Sequence, residues 1–173
     1  MENNPHGIRG VDHFSVPCKD PELSQSFYET VLNAKVYEDE NGPYVFGVSE
    51  EDKRLGRSVH IFVELDSGLR IELLEAKTDG TAPLGTHHAF SIGPNDVEPI
   101  CEMLEGLGVP YVGPATHRGT FAVSVYFHDL DGNLLEFVCW NGYPKLSDVP
   151  LMQKLSKEFP DFTWDPKTRR ARV

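Results

Sequence analysis

Two histidines and a glutamate carry the features of this sequence that point most directly to chemistry. His13 and His87 open the segments His13-Phe-Ser-Val and His87-His-Ala-Phe-Ser-Ile, and Glu136 lies in Asn-Leu-Leu-Glu136-Phe-Val. Because strand side chains alternate between two faces, each of these polar residues is predicted on the face away from the helix layer, and the helix-facing side of each strand is apolar. Such groups are costly to bury unless they pair or bind a metal. Two imidazoles and a carboxylate suit Fe(II), Mn(II), Zn(II) or Ni(II), with positions left open for substrate.

An internal repeat supplies the elements that must position these residues. The same distance, 24 residues, separates His13 from Tyr37 and His87 from Tyr111. Between the members of each pair, apolar residues recur every three to four positions, which is typical of a helix with one buried face. The predicted helices span residues 21–33 and 96–107. A match without gaps over this length indicates that one unit occurs twice.

Segments rich in β-forming residues follow each helix. They span residues 44–48, 59–65 and 69–75 in the first half, and residues 111–112, 121–128 and 134–140 in the second. Each half also has a glycine followed four residues later by a glutamate, Glu72 or Glu136. The sequence therefore predicts an α+β protein of two βαβββ modules, residues 8–76 and 86–141. Residues 142–173 form a C-terminal extension, with a short helix at 151–159 and a frayed, arginine-rich end.

Composition excludes several classes of protein. The 173 residues carry a formal net charge of −11, which argues against a nucleic-acid partner. No apolar run approaches the roughly 20 residues of a membrane span, and the polar start does not resemble a signal peptide. We therefore expect a soluble cytoplasmic protein that acts on a small molecule. Cys18, Cys101 and Cys139 lack metal-type spacing and are expected to be reduced structural thiols.

Residues 8–141 resemble the vicinal oxygen chelate superfamily, which includes glyoxalase I, epimerases, bleomycin- and fosfomycin-resistance proteins and extradiol dioxygenases. The resemblance rests on three motifs: Val-Asp-His13-Phe-Ser-Val, Thr-His87-His-Ala-Phe-Ser-Ile, and Asp129-Leu-Asp-Gly-Asn-Leu-Leu-Glu136-Phe-Val. It implies that the two modules pair into an open, curved mixed sheet with the helices outside. It also implies that His13, His87 and Glu136 are metal ligands. Related proteins build the site within one chain or between two, so a homodimer is one expectation.

Within that superfamily, the segment from His117 to Glu136 is similar to the extradiol dioxygenase signature. A histidine, an apolar residue before Tyr126, then Asp129, a glycine and the glutamate follow in the same order, although Leu130 stands where that signature has proline. The resemblance implies a dioxygenase that cleaves a small aromatic vicinal diol, with Fe(II) as the favoured metal. His117 would then transfer a proton, and Tyr126 would donate a hydrogen bond at the substrate.

Glu72 favours a different reaction. It matches Glu136 in the repeat, and its position resembles that of a fourth metal ligand in glyoxalase I and the epimerases. A fourth ligand leaves fewer positions for a diol and O₂ and suits a metal-dependent lyase or isomerase. The other interpretation of Glu72 is a solvated strand residue near Arg70 and Glu75. A third hypothesis for the chain is a drug-binding resistance module without catalysis.

Three further histidines have less specific predictions. His60 is either a pocket wall or an ordinary strand residue, and the second interpretation is favoured. His88 is predicted to face the helices. His128 lies beside a turn and is interpreted as structural or exposed.

Overall fold

The computed structural model describes residues 11–76, 86–117, 119–152 and 159–173. The helices in these ranges are α1 (Pro21–Val31), α2 (Glu50–Arg54) and α3 (Val97–Leu107), with a 3-10 turn at Leu146–Asp148. The strands are β1 (His13–Cys18), β2 (Lys35–Val36), β3 (Glu38–Asp39), β4 (Gly42–Pro43), β5 (Val45–Phe46), β6 (His60–Glu64), β7 (Arg70–Glu75), β8 (His88–Ser91), β9 (Tyr111–Thr116), β10 (Val123–His128), β11 (Leu134–Cys139), β12 (Thr163–Asp165) and β13 (Arg170–Arg172). No helix among the described residues combines the length and apolarity needed to cross a membrane.

Two sheets repeat one strand order. The first sheet runs β1-β7-β6-β2, with β5 also paired to β6, and the second runs β8-β11-β10-β9. In each sheet the first strand is parallel to the last strand of its module, and the other pairs are antiparallel. The predicted α+β fold with two βαβββ units is confirmed. The open mixed sheet expected from the pairing of the modules is present as two sheets, one in each module.

The two long helices begin and end where local chemistry places them. Asp20 caps α1 by accepting a hydrogen bond from the Leu23 amide at 3.0 Å, and Pro21 occupies the first turn. Gly108 ends α3 with a φ of 74°, a left-handed conformation that glycine adopts without strain. Each helix buries one apolar face, and the two faces join a hydrophobic core that extends through both modules.

The modules contact each other within the chain on the helix-facing sides of their sheets. The rings of Phe14 on β1 and His88 on β8 stack at 4.3 Å between centroids. Tyr28 donates a hydrogen bond to Asp129 at 2.9 Å, and the Asn133 side chain donates to the Pro17 carbonyl at 3.0 Å. Burial raises the pKa of Asp129 to about 6, against the hydrogen bonds from Asn133 and Tyr28 that favour the carboxylate. The stacking of His88 on Phe14 places His88 on the helix-facing side of its sheet, as predicted.

The prediction of a frayed C-terminal end is wrong. Strands β12 and β13 form an antiparallel hairpin that places Trp164 in the core, where it is 6% exposed. Its ring packs edge-on against Phe27 of α1 at 5.3 Å, and its indole N–H donates to the Ser26 hydroxyl at 3.1 Å. The free energy gained by burying this indole orders the end of the chain, although its arginine-rich composition suggested fraying. Of the predicted helix at 151–159, residues 153–158 lie outside the described residues, and Leu151 forms a β-bridge with Thr116.

Some local predictions need smaller corrections. Strand β9 extends to Thr116, well beyond the predicted residues 111–112, because it pairs along β10 with a bulge. Helix α2, capped by the Ser49 side chain, was not predicted. The three cysteines are free and buried, as expected.

Candidate metal centre

The second sheet brings two of the predicted ligands into contact. Glu136 lies in the middle of β11, with Ala89 of β8 on one side and Tyr126 of β10 on the other, and it is 5% exposed. His87 lies one residue before β8, and its Nε2 is 2.8 Å from Oε2 of Glu136. An imidazole nitrogen and a nearly buried carboxylate oxygen are thus adjacent, as in a pair of metal ligands.

Tyr126 and His117 form a second pair beside the first. Nε2 of His117 and the Tyr126 hydroxyl are 3.0 Å apart, and the Tyr126 ring meets the His87 ring edge-on at 5.9 Å. Burial, with the nearby Glu136 carboxylate, raises the pKa of Tyr126 to about 12. The phenol therefore stays neutral at physiological pH and can donate a hydrogen bond.

A separate polar group lies on the first sheet. Ser15 and Glu72 are directly opposite in the β1–β7 pair, and the Ser15 hydroxyl donates to Oε2 of Glu72. Nδ1 of His60 on β6 is 2.8 Å from Oε1 of Glu72. Burial disfavours the charged carboxylate, but the hydrogen bonds from His60 and Ser15 outweigh it and lower the pKa of Glu72. The side chain is 13% exposed, so the interpretation of Glu72 as a solvated residue is wrong.

His13 lies on the same strand as Ser15. Its Nδ1 is 2.9 Å from Oδ1 of Asp12, and its ring meets the edge of Phe62 at 5.3 Å. Arg70, opposite His13 in the β1–β7 register, lies 3.9 Å above the Tyr37 ring and contacts Glu64 rather than Glu72.

The predicted site residues thus fall into two groups. His87, Glu136, Tyr126 and His117 lie together on the second sheet, whereas His13 lies on the first. Across residues 11–76, 86–117, 119–152 and 159–173, no three His, Cys, Asp or Glu side chains are placed to hold one metal ion. The three-ligand set, and the roles of His117 and Tyr126, therefore stay predictions, with one ligand pair formed in the single chain.

Sequence reasoning missed the network of Ser15, Glu72 and His60 and favoured an ordinary strand role for His60. The alternation of side chains along a strand could have predicted the sheet face on which Ser15 and Glu72 each lie. The register that aligns β1, β7 and β6 was not predictable from that alternation. His128 is half-buried against the Phe159 ring, at 4.3 Å between centroids, which agrees with a structural role.

The paired modules, with histidine and glutamate on the face away from the helices, define the class of protein. A family model described as the Glyoxalase/Bleomycin resistance protein/Dioxygenase superfamily matches residues 10–137. The chain belongs to this superfamily.

Individual relatives show where the similarity lies. The curated protein Glyoxylase I 4 of Arabidopsis thaliana is 26% identical over 160 residues, which cover 89% of this chain and 82% of that protein. The fosfomycin resistance protein FosX of Listeria monocytogenes, complexed with Mn(II) and sulfate, superposes with a TM-score of 0.60 and 25% identity over 80% of this chain and 98% of that one. A mutant FosX from the same organism, complexed with Mn(II) and 1S,2S-dihydroxypropylphosphonic acid, gives 0.60 and 27% over 75% and 91%.

Proposed function

We propose that this chain is a metal-dependent enzyme that acts on a small molecule with two vicinal oxygen atoms, and that His13, His87 and Glu136 hold the metal. The donor chemistry supports this, because two neutral imidazoles and a carboxylate suit a divalent transition metal. The 2.8 Å contact between His87 and Glu136 supplies two of these donors side by side. Membership of the superfamily and the Mn(II) bound by the similar FosX support it further.

The site is proposed to be completed by a second copy of the chain. His13 lies on the first sheet and the His87–Glu136 pair on the second, while contacts such as Phe14 with His88 pack the modules through their helix-facing sides. In the proposed dimer, the sheet face that carries His13 in one copy packs against the face that carries His87 and Glu136 in the other copy. The three-ligand set then forms twice, as two-fold symmetry requires.

The reaction we propose first is extradiol cleavage of an aromatic vicinal diol, and the His117–Tyr126 pair beside His87 is the observation that carries it. Bound Fe(II) would supply the redox chemistry between diol and O₂. The neutral Tyr126 hydroxyl would donate a hydrogen bond toward the reacting oxygen. His117, hydrogen-bonded to that hydroxyl, would accept and return a substrate proton. Both carboxylate oxygens of Glu72 already have partners, which favours a three-ligand site with open positions.

A second candidate is a glyoxalase- or epimerase-like lyase or isomerase in which Glu72 becomes a fourth ligand. The similarity to Glyoxylase I 4 and the match of Glu72 with Glu136 in the repeat favour it. It requires Glu72 to exchange a hydrogen bond from His60 or Ser15 for the metal. A drug-binding module without catalysis is the third candidate, and the His87–Glu136 pair argues against it.

One pair of assays tests these candidates. Protein loaded anaerobically with Fe(II) is given a panel of catechols while oxygen uptake is measured, and protein loaded with Ni(II) or Zn(II) is given a glutathione hemithioacetal. Oxygen uptake that His117→Ala abolishes would support the dioxygenase. Hemithioacetal turnover without oxygen uptake would support the second candidate, and no turnover with tight drug binding would support the third.

A further inference from the structure

The first sheet holds a pocket that the proposed metal chemistry does not use. It lies over β5 and the start of α2, has a volume of about 580 Å³, and is lined by Phe46, Val48, Ser49, Arg57 and His60 among others. Phe46 is directly opposite His60 in the β5–β6 pair, and half of its surface is exposed. The pocket thus combines an aromatic ring with an imidazole on adjacent strands.

His60 is held in one orientation. Its Nδ1 is 2.8 Å from Oε1 of Glu72, whose Oε2 accepts the Ser15 hydroxyl. Because a carboxylate only accepts, Nδ1 is the protonated nitrogen in this contact, and the neutral form of the ring then has its lone pair on Nε2. No side chain in the described part of the chain hydrogen-bonds this nitrogen, so it is available to accept a hydrogen bond from a ligand.

An aromatic wall connects this pocket with the proposed metal centre. Phe46 packs edge-on against Phe62 at 6.4 Å, and Phe62 packs edge-on against the ligand candidate His13 at 5.3 Å. These contacts connect the pocket with one of the three candidate ligands, His13. The charge of the pocket favours a neutral ligand, because Arg57 is already paired with Asp52 at 2.8 Å.

We propose that Phe46 and His60 form the substrate-specificity pocket of this enzyme, and that it takes a neutral aromatic ring with a hydroxyl group at its edge. The ring packs on Phe46, and the hydroxyl donates to Nε2 of His60. Glu72 acts as a positioning residue through His60. This inference rests on the proposed function, and it adds that the aromatic substrate is uncharged and is recognised by Phe46 and His60.

The test measures binding to the metal-free full chain, so that metal coordination does not contribute. Calorimetric titrations use catechol, its dimethyl ether and cyclohexane-1,2-diol. Wild type should bind catechol about tenfold more tightly than either analogue, since an aromatic contact and a hydrogen bond are each worth about that factor. Phe46→Ala should remove the preference over the saturated diol, and His60→Phe should remove the preference over the ether.

Matched controls come from a contact between the second module and the C-terminal extension. Phe159→Ala and His128→Phe change the same residue types in a contacting pair outside the pocket and should bind all three probes as wild type does. Val48→Trp fills the pocket at an exposed residue without removing a hydrogen bond, and it should abolish catechol binding even where His60→Phe fails to fold. In ¹⁵N NMR spectra, Glu72→Gln should shift His60 from the Nδ1-protonated form toward the other tautomer.

If Phe46→Ala and Val48→Trp still prefer catechol over its ether and over the saturated diol, as wild type does, the assignment of this pocket is wrong. Its failure is distinguishable from failure of the proposed function. If Phe46→Ala and His60→Phe turn over catechols with an unchanged KM, the proposed function is supported and the role of the pocket is contradicted. If the expected binding pattern is observed but no diol is turned over, the role of the pocket in binding is supported and the proposed function is contradicted.

Discussion

The two modules repeat one fold but surround their matching glutamates differently. Glu72 in the first module is held within its own sheet, by Ser15 from one neighbouring strand and His60 from the other. Glu136 in the second module is in contact with His87, which precedes the edge strand. Each glutamate is 2.8 Å from an imidazole nitrogen, but Glu72 also accepts from Ser15 on its other oxygen, which suits a carboxylate that orients a neighbour. The imidazole beside Glu136 belongs to the candidate ligand His87, which suits a shared metal. The difference teaches that matched positions in a repeat do not imply matched contacts.

The largest expected effect is on metal content and tests the second module's side of this comparison. His87→Ala should remove most of the bound metal, because it deletes a ligand beside Glu136. His88→Ala is the matched control, since its ring stacks on Phe14 in the helix-facing core. Elemental analysis of anaerobically loaded protein gives the measurement, and equal metal content in the two variants would contradict the ligand assignment.

The next effect is on turnover. His117→Ala should retain the metal and lower kcat for catechol cleavage by roughly 10²–10⁴, the usual contribution of a positioned acid–base group. Tyr126→Phe should act in the same direction, because it removes the hydroxyl 3.0 Å from His117. His128→Ala is the control and should turn over as wild type does. A loss smaller than tenfold in His117→Ala would exclude its proton-transfer role.

A third prediction concerns the contact that joins the modules. The pKa of Asp129 is raised to about 6 by burial, so its share of the stability is present below about pH 4 and is lost as the pH rises through 6. The free energy of unfolding of wild type, relative to Asp129→Asn, should therefore fall by about 2 kcal/mol between about pH 4 and 7. Urea titrations at several pH values measure this. Asp66→Asn, at an exposed carboxylate, should give a curve parallel to wild type.

The predictable parts of the molecule are those with local causes. Helix α1 follows from Asp20, Pro21 and its apolar spacing, and each of these acts within a few residues. The C-terminal hairpin was not predictable, because Trp164 orders it by packing on Phe27, far away in the sequence. The repeat predicted equivalent positions for Glu72 and Glu136 correctly.

The repeat did not predict the partners of those glutamates. The contact of Glu72 with His60 depends on the register between β6 and β7, in which Phe62, not His60, is directly opposite Glu72. Strand alternation identifies a face but not the neighbour along the sheet. The second module's pair forms because His87 lies just before β8, next to the strand that carries Glu136.

The smallest expected effect is at Glu72, and it decides how far the two modules differ. If Glu72 only orients His60, then Glu72→Gln should keep the full metal content and lower catechol turnover by less than about tenfold, which corresponds to one hydrogen bond. If Glu72 is instead a fourth ligand, the same change should reduce metal content as strongly as a ligand substitution does. Ser15→Ala is the matched control, because it removes the other partner of Glu72 without changing its charge. Metal loss in Glu72→Gln, with metal retained in Ser15→Ala and no oxygen uptake with any catechol, would replace the dioxygenase with the lyase or isomerase. Metal retained in both variants would leave Glu136 as the only glutamate ligand of the repeat.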